Sequence, residues 1–261
     1  MARAWYRPMR LAYFDHLIDI FRLSELRGID RRGQELWIGA GTTGAKVGAD
    51  AQVRQAVPLL TRVTPFVGHF QIRNRGTLGG SIAHADAAGE YPAVALTLDA
   101  VIEVQSPRGR REIAAADFFT GLWETMMESD EVLTGVRFPV WNSRSGFSLH
   151  EFSRRHGDFA IAGALVAVQL DDQDRVSRCA IGLLGLGFTP RRATAAEESI
   201  IGRPVNELPA EEIGQAAMTG LDEVPTDLQG SASYRTQVGA AMAARAWTQA
   251  VQEAVTGSSN A

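Results

Sequence analysis

The sequence predicts an α+β fold in two units, and three observations carry that expectation. Strand-like runs dominate residues 16–39 and 101–138 around a helical stretch. A polar break follows Pro139. Beyond it, three strand-like runs precede three helical ones. At 261 residues with 45% hydrophobic composition, the chain is long enough to bury two cores, which the break places in residues 1–140 and 145–255.

Taken in order, His16–Ile20 and Glu35–Gly39 read as strands, and the glycine-rich run Gly39–Gly44 interrupts the pattern. A helix is predicted from Asp50 to Thr61, with Asp50 as its cap and Val53, Val57, Leu59 and Leu60 on its buried side. Residues 66–88 are rich in glycine and small residues and read as a loop, and Glu90–Leu98 reads as an apolar helix. Val101–Gln105 and Arg111–Ala115 form a hairpin around Pro107–Gly109, and Glu131–Phe138 is a further strand. In the second unit, Gly146–Phe152, Ala162–Leu170 and Val176–Leu186 are strands, with Asp171–Asp174 as a turn. Helices follow at Arg192–Ile201, Pro209–Leu221 and Ser231–Val255, so the three strands are expected to be covered on one face. The tail from Thr256 to Ala261 reads as frayed.

A net charge of −4 gives no basic field for nucleic acid or an anionic membrane. No run of apolar residues reaches membrane-spanning length and the N-terminus lacks a signal-peptide core, so a cytoplasmic protein is expected. The single cysteine, Cys179, sits in an apolar alternation and reads as a core residue; one thiol cannot cage zinc or an iron–sulfur cluster. Metal redox chemistry therefore belongs to partner chains.

Thr77–Ser81 (TLGGS) presents consecutive main-chain N–H groups around two glycines, a pattern that lets a diphosphate approach the backbone. The hydroxyls of Thr77 and Ser81 and the charges of Arg73 and Arg75 would add to such a nest. A Gly-Gly turn alone more often serves only a positive φ. His69, His84 and Asp86 have no metal-ligand spacing and read as holders of the loop's hydrogen bonds. Arg154–Arg155 and Arg191–Arg192 read as solvated or partner-facing, because paired charges are usually at the surface.

The whole string GHFQIRNRGTLGGSIAHAD (68–86), followed by EYPAV (90–94), resembles the second flavin-binding loop of the flavin subunits of molybdenum hydroxylases, the carbon-monoxide-dehydrogenase and xanthine-dehydrogenase family. The resemblance continues through Phe118–Gly121 and Glu131–Pro139. It extends into the second unit, where Arg154–Gly163 is similar to the family's "RRxGDxA" segment and Gly230–Arg235 to its "GSAEYR". It implies an FAD-binding domain of the vanillyl-alcohol-oxidase/PCMH type and a C-terminal domain with a three-stranded antiparallel sheet and helices. It further implies that Thr77, Leu78, Gly79, Gly80 and Ser81 contact the FAD diphosphate and that Glu90 and Leu133 contact the cofactor. Phe159 would lie against the isoalloxazine ring. The subunit would pass electrons from 2Fe-2S clusters through FAD to an acceptor. Its partners would be a molybdopterin-binding large subunit and a 2Fe-2S small subunit, assembled as a dimer of heterotrimers.

Members of this family open with a segment ending in a first glycine-rich loop similar to "AGGQSL". Residues Pro8–Leu17 resemble what comes just after that loop, so the FAD domain is expected to be truncated at its N-terminus, whether by a start further upstream, a completing partner or degeneration. Two other readings remain open on these residues: a non-catalytic assembly subunit that no longer binds FAD, and a stand-alone flavoenzyme acting directly on its substrate.

Overall fold

The computed structural model describes residues 18–257. Its first sheet has five strands, in the order β1 (Ile29–Arg32), β2 (Glu35–Gly39), β7, β3 and β4. The last three are Val132–Pro139, Val101–Ser106 and Gly109–Ala114, and every neighbour pair is antiparallel. The predicted 101–115 hairpin forms, with Val101 opposite Ala114 and Gly109 at φ +130 in its turn. A short two-stranded ribbon, β5 (Phe119–Gly121) and β6 (Glu124–Thr125), follows it.

One expectation at the start of the chain is corrected. Residues 16 and 17 of the predicted first strand lie outside the described residues. Ile20 opens a 3-10 turn, because the Asp19 carboxylate accepts the Phe21 N–H at 2.9 Å and takes a donor that a ladder would need. The strand that does pair with β2 is β1, a charged edge that turns on Gly33 at φ +63; such edges resist pairing with other chains.

One face of the sheet shares its core with helices α1 (Gly44–Ala49), α2 (Ala51–Ala56), α3 (Pro58–Val63), α5 (Leu78–His84), α6 (Glu90–Thr97) and α7 (Ala115–Phe118), while the short α4 (Phe70–Arg73) buries none of its residues and rests against α1. The helix predicted over residues 50–61 breaks in two at Val57, at φ −138 and ψ 68, because Pro58 forces its predecessor out of the α region. Asp50 does cap the first half, accepting the Gln52 N–H at 2.9 Å, and Val53, Val57, Leu59 and Leu60 are all buried. The expected loop at 66–88 carries two short helices instead.

The second sheet comprises β8 (Ser145–Phe152), β9 (Ala162–Leu170), β10 (Val176–Leu184) and the two-residue β11 (Arg191–Arg192), in the order β11-β10-β9-β8. Its three long strands match the expected sheet. Its coverage does not: both faces are buried. One packs on α8 (Thr194–Ile200) and the 25-residue α10 (Ala232–Thr256), with α9 (Ala210–Ala216) lying on the outside of α10; the other packs on α3 and α6. The nearly continuous apolar run of β9 is the sequence mark of a strand buried on both sides. Two glycines permit the close approach: a Cβ on Gly146 would strike the Ala250 carbonyl on α10, and one on Gly182 would strike the Thr97 hydroxyl on α6. The first hydrophobic core thus includes Phe147, Leu149, Leu165 and Leu184 from the second sheet.

Polar clamps hold this junction. Arg192, expected at the surface, is only 17% exposed; it forks onto Glu197 at 2.8 and 2.7 Å and reaches Asp99 at 2.8 Å and the carbonyls of Leu96 and Thr97. Arg62 on α3 grips Glu253 on α10 at 2.5 and 2.6 Å. Cys179 is buried, and burial pushes its thiol well above the usual range. Among the described residues no helix is long and apolar enough to cross a membrane.

Candidate functional site

A cavity of about 340 Å³ opens where the α4–α6 segment meets the loop joining β8 to β9. Thr77, Gly80, Ser81 and His84 line it from α5, Gly68 and Arg73 from α4 and its approach, Glu90 and Tyr91 from the start of α6, and Gly157, Asp158 and Phe159 from the β8–β9 loop.

Thr77 caps α5, and its hydroxyl oxygen accepts the Gly80 N–H at 3.0 Å. The neighbouring amides are also engaged. Leu78 donates to the Thr42 carbonyl at 3.0 Å, Gly79 to Ala40 at 2.9 Å and Ser81 to Thr77 at 3.0 Å. An open nest of main-chain donors over 78–81 is therefore not what this segment forms. What it turns to the cavity is the bare Cα of Gly80 and the hydroxyls of Thr77 and Ser81, each able to donate its own hydrogen. Gly79 serves packing, since a Cβ there would strike Ala40 on the end of β2. Leu78 is wholly buried and Leu133 is 5% exposed within the same core, so these two and Gly79 stand behind the cavity wall. Thr77, Gly80, Ser81, Glu90 and Phe159 are brought together on it.

Arg73 spends its Nη1 on the carbonyls of Gly68 (2.6 Å), Val67 and Pro65, fixing the approach to α4. Arg75 is exposed and is not on the wall. Asp86 does hold its loop as expected, accepting the Ala88 N–H at 2.9 Å and the Trp123 indole N–H at 3.1 Å, while His84 stacks on Trp123. Among the described residues no group of three or more His, Cys, Asp or Glu side chains converges as a metal site.

Phe159 is half exposed at the mouth of the cavity. Its loop meets the α4 side at Gly157, whose φ of +87 and close approach to the His69 ring and Gly68 disfavour a side chain, and by stacking of His156 on Phe66.

A buried carboxyl gives the cavity its acid–base character, and a partly buried one stands near it. Glu90 is 5% exposed, and burial, reinforced by the nearby Asp86 charge, pushes its pKa up to about 7. Glu151 lies behind it on the inward face of β8, where burial and then the Glu90 charge raise it to about 8. The Tyr91 hydroxyl, raised to about 12 by burial, bonds the Thr64 hydroxyl at 2.9 Å. Sequence reasoning missed Glu151. Its signal was a charged residue at the third inward position of an alternation that begins Phe147, Leu149.

The family described as "FAD binding domain in molybdopterin dehydrogenase" matches residues 4–141, and "CO dehydrogenase flavoprotein C-terminal domain" matches residues 147–250. The chain belongs to the FAD-binding subunits of the molybdopterin dehydrogenases. The alpha subunit of the 6-hydroxypseudooxynicotine dehydrogenase complex of Paenarthrobacter nicotinovorans is 40% identical over 91% of this chain and 80% of its own length. Carbon monoxide dehydrogenase from Hydrogenophaga pseudoflava superposes with a TM-score of 0.89 at 33% identity, over 95% of this chain and 86% of that one. Quinoline 2-oxidoreductase from Pseudomonas putida 86 also gives 0.89, at 32% identity over 97% and 87%. The chain is an oxidoreductase subunit whose family cofactor is FAD.

The cavity wall of this FAD-binding subunit fits such a cofactor on its own geometry. A Cβ on Gly80 would meet nothing within contact distance but the Thr77 hydroxyl at 3.0 Å and would project into the cavity, so the glycine leaves a cradle. The buried Glu90 carboxyl supplies acceptors for a polyhydroxylated ligand.

Proposed function

We propose that this chain holds FAD in the α5–α6 cavity and relays electrons within a molybdenum hydroxylase. The observation that carries the reading is the convergence of Gly80's open cradle, the Thr77 and Ser81 hydroxyls, the Glu90 carboxyl and the Phe159 ring on one cavity. Thr77 and Ser81 would hold the diphosphate at the bare Gly80 turn, and the Glu90 carboxyl would accept hydrogen bonds from hydroxyls of the cofactor. Phe159 packs on the isoalloxazine ring and screens it from water. Leu78, Gly79 and Leu133 act from behind, by fixing the wall. Bound FAD supplies the one- and two-electron redox chemistry.

In this reading the electrons arrive from the 2Fe-2S clusters of a small subunit, reduced in turn by a molybdopterin-binding large subunit, and leave to an acceptor, in a cytoplasmic dimer of heterotrimers. Residues 1–140 form the FAD-binding domain and 145–255 the C-terminal one. The relatives support this by being subunits of multi-component dehydrogenases.

The test is the chain co-expressed with its two partners and purified: flavin absorbance should follow this chain stoichiometrically and bleach when the complex is given substrate. A complex that assembles and shows its iron–sulfur absorbance but releases no flavin on denaturation, even after being supplied with FAD, would identify an assembly subunit instead. Substrate-dependent bleaching by the isolated chain would identify a stand-alone flavoenzyme.

A further inference from the structure

The loop that carries Phe159 has an anchor outside the cavity. Arg235, in the first turn of α10, is 3% exposed. Its Nη1 donates to the Ile161 carbonyl at 2.5 Å and the Gly185 carbonyl at 3.2 Å, and its Nη2 chelates Asp227 at 2.7 and 2.8 Å. Each of these partners leads to the cavity. Ile161 ends the β8–β9 loop, and its own N–H closes that loop on the Phe152 carbonyl at 2.7 Å. Asp227 folds the 227–230 turn by accepting the Gln229 N–H at 2.8 Å, and within that turn the Leu228 carbonyl accepts Arg154, from the start of the same loop, at 2.7 Å. Gly185, at φ +71, donates its N–H to the Ala87 carbonyl at 2.9 Å, in the segment that runs directly into Glu90. A Cβ on Gly185 would stand 2.7 Å from the Ile161 carbonyl, so the two segments are in contact at that point.

One guanidinium therefore ties together both ends of the Phe159 loop and the approach to Glu90. This is a poor arrangement for stability alone. Burying a charge is costly, an apolar replacement of similar volume is often no less stable, and the Arg235 Nε is buried without any partner. The planar fork is what lets a single side chain address two carbonyls and a carboxylate at once.

We propose that Arg235 is the positioning residue of the flavin site, setting the Phe159 loop against the Ala87–Glu90 wall from the far side of the second sheet. The role in flavin binding rests on the FAD reading above; the ordering of the loop does not. Removal of the fork frees the loop at Ile161 and at the Asp227 turn while leaving α10 and the sheets in place.

The experiment compares Arg235→Met, Arg235→Lys and Asp227→Asn in the full chain, with Arg62→Met as a control that cuts a different clamp onto α10. Amide hydrogen exchange is measured without flavin, and FAD affinity is measured by fluorescence titration of the assembled complex. Arg235→Met should speed exchange of the 155–161 and 87–89 amides by about tenfold or more, with core strand amides unchanged. FAD should bind about tenfold more weakly. Arg235→Lys should recover part of the protection, and Asp227→Asn should show the same loop-specific pattern more weakly with Arg235 still present, which keeps the test valid if the Met variant does not fold. Arg62→Met should leave both loops protected. Equal exchange in all variants, or faster exchange spread evenly over the molecule, would overturn the proposal. If wild-type complex binds no FAD while the exchange pattern holds, the flavin reading fails and the loop clamp stands.

Discussion

The Thr77 hydroxyl oxygen accepts the Gly80 N–H at 3.0 Å, so the first turn of α5 is closed by a side chain before any ligand arrives. Removing that cap in Thr77→Ala should cost about 1 kcal/mol of stability. It should also lower FAD affinity, because the same hydroxyl faces the cavity. Thr77→Ser keeps both functions and should behave as wild type. Thermal melting and FAD titration of the three proteins separate the outcomes.

The two adjacent glycines should respond in opposite ways. A methyl group at Gly79 meets Ala40 with no space, so Gly79→Ala should destabilise the fold by about 1 to 3 kcal/mol. A methyl group at Gly80 meets only the Thr77 hydroxyl, at 3.0 Å, and otherwise points into the cavity, so Gly80→Ala should keep its fold with a small shift of the Thr77 cap and lose FAD binding. Melting temperature reports the first effect and flavin content the second; a Gly80→Ala protein that keeps its full flavin would place the cofactor elsewhere.

This division could not be read from the TLGGS string. A motif fixes positions along the chain but not which way each residue faces. Thr77, Gly80 and Ser81 fall on the cavity side of α5, whereas Leu78 and Gly79 fall on the core side. Leu133 was read at a cofactor position, yet a register shift in the β3–β7 pairing, from Glu103 opposite Gly135 to Val104 opposite Leu133, sets it on the inner face with Val136 and Phe138. Pro58 did carry the break in the predicted 50–61 helix, but four apolar residues at helical spacing outweighed it. β1 has no apolar alternation and forms only because β2 can pair with it across Gly33. Arg192 and Arg235 read as charged surface or motif residues because burial of a guanidinium depends on acceptors brought from distant segments. Phe159 and Glu90 line one cavity although they are far apart in sequence, and only the family resemblance, which spans both units, linked them in the sequence.

Glu90 and Glu151 make stability depend on pH in a direction opposite to that of ion-paired acids. Both hold their protons more tightly in the folded chain, at about 7 and about 8, than at the ordinary value of 4.5. Their contribution is complete below about 4.5 and is lost as pH rises through 7 and 8. Glu131, drawn down to about 2 chiefly by its hydrogen bond from Arg111, titrates far below this window. The melting temperature of the apo chain should therefore fall from pH 5 to pH 9, and Glu151→Gln should flatten the curve. An unchanged slope in that variant would assign the dependence to other groups.

The shared core and the Arg192 clamp lead to a prediction about cooperativity. The second sheet buries one face on α3 and α6, and Arg192 spans the junction by holding Glu197 of its own unit and Asp99 of the other. Cutting one partner out of a buried ion pair leaves the other charge stranded, at a cost of about 3 to 5 kcal/mol. Arg192→Met strands Glu197, which is 9% exposed and also accepts the Ile181 N–H at 2.7 Å. Wild type should unfold in one calorimetric transition, because neither sheet keeps its core without the other. Arg192→Met should lower that single transition and should not split it. Two resolved transitions would mean that the units fold separately and that the buried contacts between them contribute little.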